Sequence, residues 1–145
     1  MHKKMYFYAA LFGAAAVGFG AFGAHSIQAY VTAKYIEVYK TGVQYHFYHT
    51  IMLALCGVWY KTYRHAYIKI AAYSFMAGIL LFSGSLYALA ILSISNTQVN
   101  WLGAVTPFGG VCFIAGWLCI AIYFSKNRVV LYKKKEQRTT ESTAV

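Results

Sequence analysis

His46 and His49 stand three residues apart, and Tyr45 and His49 four apart, so on a helix each pair shares one face. His25 brings a third imidazole, and three imidazoles suffice to hold zinc, copper or iron. The set His25, His46 and His49 has no acidic partner near it: the chain has no Asp, and its Glu residues are Glu37, Glu136 and Glu141. Without a carboxylate to orient them, the plainer role of these rings is hydrogen bonding across a helix interface. Histidine titrates near neutral pH, so Tyr45, His46 and His49 could also relay a proton. Ser83, Ser85 and Thr106 add hydroxyls further along. His25, Tyr45, His49, Ser83, Ser85 and Thr106 therefore form the candidate polar cluster, with no metal or cofactor assigned to it. No nucleophile, base and acid can be assembled, and no glycine-rich phosphate loop is present, so no catalytic residue is assigned and an enzyme is not expected.

The segments that carry these residues are apolar. The 145-residue chain is 60% hydrophobic, 19% aromatic and 11% charged. Soluble domains devote about a quarter of their residues to charge, so lipid must be the solvent for much of this chain. Four apolar runs follow one another: about residues 5–24, 43–60, 70–94 and 102–124. A hydrocarbon core about 30 Å thick takes about 20 helical residues, and each run meets or approaches that length. The first run follows His2-Lys3-Lys4 and could be taken for a signal peptide, but it is longer than the apolar stretch such a peptide carries. Residues 1–125 are thus expected to form a compact all-α bundle of four transmembrane helices. Residues 126–145 form a basic tail, expected to be cytoplasmic and disordered.

Charge orients the bundle. Lys3, Lys4, Lys61, Arg64, Lys69, Lys126, Arg128, Lys133, Lys134, Lys135 and Arg138 fall on one side, leaving Lys34 and Lys40 for the other. Basic residues of short loops stay in the cytoplasm, so both termini are expected inside. That orientation puts nearly every polar residue of the spans in the outer half and leaves the inner half apolar, an incomplete path for an ion or proton. The net charge of +10 is spread between and beyond the apolar runs rather than along one face, which speaks against nucleic acid as a partner and for membrane lipids.

Three local features complete the picture. Ile27, Tyr30, Val31, Tyr35 and Val38 recur at helical spacing and predict a short amphipathic helix on the outer surface, before a second span started by a Thr41–Gln44 capping box. Pro107 is expected in the first turn of span four, where its missing N–H costs nothing. Small residues recur every four positions in span one, as Ala10-Ala14-Gly18 and Ala16-Gly20-Ala24, and predict close helix packing with aromatic rings filling gaps opposite glycines. Cys56, Cys112 and Cys119 all lie in apolar runs and are expected to be reduced.

Gly20-Ala21-Phe22-Gly23-Ala24-His25, the Thr41, Tyr45, Tyr48-His49 segment, Phe82-Ser83-Gly84-Ser85-Leu86-Tyr87, and Thr106-Pro107-Phe108-Gly109-Gly110 with Gly116-Trp117 occur in that order. Over about residues 5–124 the chain resembles the small four-span bacterial membrane protein family that includes YgdD and YwdK. The resemblance implies a multi-pass protein of the cytoplasmic (inner) membrane, with no established activity, cofactor or partner. His46 stands where that family commonly has Gln, which weakens a three-histidine metal site. Three functions compete. The first is a structural or accessory role through helix packing with a second copy or a membrane protein partner. The others are a small channel or carrier using the outer polar cluster, and a metal- or cofactor-binding membrane protein.

Overall fold

A computed structural model of the protein describes residues 1–95 and 100–126. Among these residues all regular structure is helical. Helix α1 spans His2–His25, α2 spans Ala33–Tyr63, α3 spans Ala66–Gly78, α4 spans Gly84–Leu92 and α5 spans Asn100–Lys126. One π-helical segment, Ile79–Ser83, joins α3 to α4, so residues 66–95 form a single rod. Among the described residues, three elements are long and apolar enough to cross a membrane: His2–Ala29, Ala66–Ser95 and Trp101–Lys126. Helix α2 is longer than any single one of them at 31 residues, but Gln44, His46 and His49 make it less apolar.

Two expectations about helix boundaries are corrected. There is no separate amphipathic helix: Ile27–Ala29 is one 3-10 turn, and α2 then runs unbroken from Ala33. Thr41 therefore lies inside a helix, and its hydroxyl donates to the Glu37 carbonyl one turn back instead of capping a new start. Helical spacing was legible there, but no proline separates Lys40 from Val43, and the intervening Gly42 is buried against Leu86 and Tyr87, so the two segments fuse. Pro107 likewise stands well inside α5, which is helical from Asn100. It leaves the Gly103 carbonyl without its usual donor, on an exposed side of the helix. The tail beyond Lys126 and residues 96–99 lie outside the described residues.

Helix α1 packs on α2, α2 on the α3–α4 rod, and the rod on α5. Rings meet glycines at most of these crossings. A Cβ at Gly23 would overlap Tyr39, one at Gly57 would meet Tyr6, one at Gly78 would overlap Phe113, and one at Gly116 would meet Phe75. Gly109 lies against backbone rather than a ring, its added Cβ overlapping the backbone of Phe82 in the π segment. The core so formed includes Leu53, Cys56, Ile68, Ala71, Ala72 and Phe75, all inaccessible to solvent. The α2–α3 turn is made by Arg64 in a left-handed conformation (φ 48°), followed by His65, whose Nδ1 accepts the Tyr67 amide and caps α3.

Candidate functional site

The polar side chains of the bundle interior sort into three groups. The first is centred on His49. Its Nδ1 lies 2.8 Å from the Tyr45 carbonyl, which can only accept, so Nδ1 carries the proton. Its Nε2 is then a lone pair, and it accepts the Trp117 indole N–H at 3.4 Å. These roles fix a neutral Nδ1–H tautomer. The ring also stacks flat on Phe113, with centroids 3.5 Å apart and planes 10° apart. Both nitrogens are thus engaged within the bundle, and a metal at Nε2 would have to displace Trp117.

The second group joins the α3–α4 rod to α5. Ser85 Oγ and Thr106 Oγ1 lie 2.7 Å apart. Ser85 also reaches the Phe82 carbonyl at 2.9 Å, and Thr106 the Leu102 carbonyl at 3.4 Å. Each hydroxyl has one proton, and the shorter backbone bond favours the direction Thr106 to Ser85 to Phe82. The pair thus ties α5 to a carbonyl of the π segment. Such segments recur at functional sites in helices, and here it lies against Gly109.

The third group is the most enclosed. His46 Nδ1 meets the Tyr87 hydroxyl at 3.2 Å, and the Tyr87 ring stacks on Phe19 and leans on Tyr39. His46 Nε2, Thr50 Oγ1 and Ser83 Oγ are buried with no protein hydrogen-bond partner. Tyr87 meets His46, and Tyr45 stacks on Phe82, so the antiparallel register sets Ser83 level with His46. Thr50 follows one turn along the same face of α2 and touches Gly13 of α1.

The sequence-derived residues therefore separate. Tyr45 and His49 belong to the first group, Ser85 and Thr106 to the second, and Ser83 and His46 to the third. His25 is exposed at the end of α1 and joins none of them. Among the described residues no three His, Cys, Asp or Glu side chains are grouped as a metal site. Sequence reasoning passed over Thr50, and over Tyr39, whose hydroxyl donates to the Phe19 carbonyl at 2.8 Å. Neither residue is charged or part of a distinctive spacing. Tyr87 and Trp117 were visible as motif residues, but not as the partners of His46 and His49.

Comparison with known proteins gives these groups a context. The chain is 44% identical over 108 residues to the UPF0382 membrane protein YwdK of Bacillus subtilis, covering 74% of this chain and 84% of that one. It is 42% identical over 106 residues to a UPF0382 membrane protein, SH2409, of Staphylococcus haemolyticus, covering 73% and 82%. A UPF0382 membrane protein of Haemophilus influenzae is 39% identical over 129 residues, 88% of this chain and 98% of its own length. No solved structure matches. Residues 19–110 match the family described as "Protein of unknown function (DUF423)", and with these relatives they show that the chain is a membrane protein belonging to that family.

Proposed function

We propose that this protein is a four-span, N-in/C-in membrane protein with a structural or accessory role, exerted by helix packing against a second copy of itself. The observation that carries this reading is the use of α1. One face of α1, through Met5, Ala9, Ala16 and Gly23, is buried in the bundle, while the equally small face Ala10-Ala14-Gly18 is exposed, with open space around Gly18. In hydrocarbon such a four-residue repeat promotes helix association through close backbone approach. A matching stripe on a second copy would make a symmetric pair.

The polar interior supports the same reading. The polar groups of His49, Ser85 and Thr106 bond within the protein, and His46 shares a bond with Tyr87. His46 Nε2, Thr50 Oγ1 and Ser83 Oγ are buried without a partner but are too localised to line a continuous path for an ion. Those internal bonds also explain how α2 could span lipid despite its modest hydropathy: His46 and His49 are turned to neighbouring helices, and exposed Gln44 donates to Tyr48 on its own helix. The test is cross-linking in bacterial membranes, with the three native cysteines replaced. Ala14→Cys is expected to form a disulfide-linked dimer on oxidation, and Ile114→Cys on the bulky face of α5 is expected to stay monomeric. Monomers alone at Ala14→Cys would refute the pairing.

A further inference from the structure

We infer that the groove between the C-terminal half of α1 and the N-terminal half of α2 binds a zwitterionic phospholipid with a primary ammonium headgroup. The groove encloses about 870 Å³, within the range of roughly 300–1,000 Å³ typical of small-molecule sites. Its cause lies in the sequence. Val17, Gly20 and Ala24 of α1 present little side-chain bulk, and Val43 and Phe47 of α2 stand opposite as a wall. A Cβ at Gly20 would meet Val43 only at ordinary van der Waals distance, whereas one at Gly23 would overlap Tyr39, so the helices close tightly at Gly23 and leave room toward Gly20. On the flank of a bundle surrounded by lipid, a hollow lined this way is filled by hydrocarbon. From Ala16 to Ala24 it runs about 12 Å along α1, room for a substantial part of an acyl chain.

The rim chooses the headgroup. Glu37 and Lys40 border the groove at the end where α1 finishes and α2 begins, and Gln44 lies a turn further along α2. Lys40 Nζ and Glu37 Oε1 are 3.0 Å apart, with side chains 65% and 72% exposed. A pair so exposed contributes little, so each member is easily drawn to a ligand charge instead. A lipid phosphate suits Lys40, and an ethanolamine ammonium, with three N–H donors, suits Glu37. A choline headgroup has no such donor. A glycerol headgroup leaves the Glu37 carboxylate beside a phosphate with no cation between them.

The test uses the full chain in nanodiscs or detergent, with equimolar phosphatidylethanolamine, phosphatidylcholine and phosphatidylglycerol, read by native mass spectrometry. Phosphatidylethanolamine is expected to be retained about tenfold over phosphatidylcholine, the size of one charge-assisted hydrogen bond. Glu37→Gln should erase that preference, Lys40→Gln should weaken retention of all three, and Ala24→Leu should reduce the number of lipids held. Ala14 does not line the groove, so Ala14→Leu should leave the preference intact, which separates this site from the proposed pairing surface. Equal retention of the three headgroups, a preference for phosphatidylglycerol, or a preference that survives Glu37→Gln would overturn the inference.

Discussion

At the scale of single residues, burial without a partner and burial with one have opposite consequences. Ser83 and Ser85 stand two positions apart and are both buried, yet only Ser85 has protein partners. Removing Ser85 leaves Thr106 and the Phe82 carbonyl short of a bond, so Ser85→Ala is expected to cost about 1–2 kcal/mol. Ser83→Ala removes a hydroxyl that makes no protein hydrogen bond, and Thr50→Val does the same at nearly constant volume. Both should be neutral or slightly stabilising. Denaturation in mixed detergent micelles gives the comparison directly. A loss at Ser83→Ala equal to that at Ser85→Ala would mean that its hydroxyl is bonded after all. His49 offers a parallel case: Trp117→Phe keeps an aromatic ring but removes the indole donor to Nε2, and a loss of about 1–2 kcal/mol is expected.

At the scale of elements, glycines decide where helices can approach. Gly109 rests on backbone atoms of Phe82, and backbone cannot swing aside as a side chain can. Gly109→Ala is therefore expected to destabilise by about 1–3 kcal/mol, by forcing α5 away from the π segment. Gly103→Ala, on the same helix with open space around it, should gain about 0.5–1 kcal/mol from reduced chain entropy. A stabilising Gly109→Ala would contradict this crossing. The same contrast shows what could be read in advance. Small residues at spacings of four announced close packing, and rings opposite glycines followed, because both depend on local side-chain volume. Which glycine meets which ring could not be read, since Phe113 reaches Gly78 only through the register of two separate helices. The π segment was equally hidden: Ile79–Ser83 reads as ordinary apolar helix, and its widened turn is found only in the packed bundle. The candidate site suffered most. Polar residues at similar depths were grouped as one cluster, but helical phase sent His49, Ser85 and His46 to different neighbours.

At the scale of the whole molecule, the question is whether α2 crosses the membrane or lies along it. Its 31 residues make a rod about 46 Å long, against a hydrocarbon core of about 30 Å. A crossing therefore leaves about three turns outside lipid. Lys34, Glu37 and Lys40 all fall in the first turns, so the surplus length coincides with the charge. The far end reaches Lys61 and Arg64, which the proposed orientation assigns to the cytoplasmic side. A crossing α2 thus places Tyr30 and Arg64 on opposite sides, and a surface-lying α2 would place them together. Tyr30 is 71% exposed, so a cysteine there is open to reagent. In a chain without native cysteines, Tyr30→Cys is expected to react with an impermeant maleimide on intact cells. Arg64→Cys should react only after the membrane is opened. Labelling of both positions from outside, or of neither, would place α2 on one face of the bilayer. It would leave three spans and separate the two termini across the membrane.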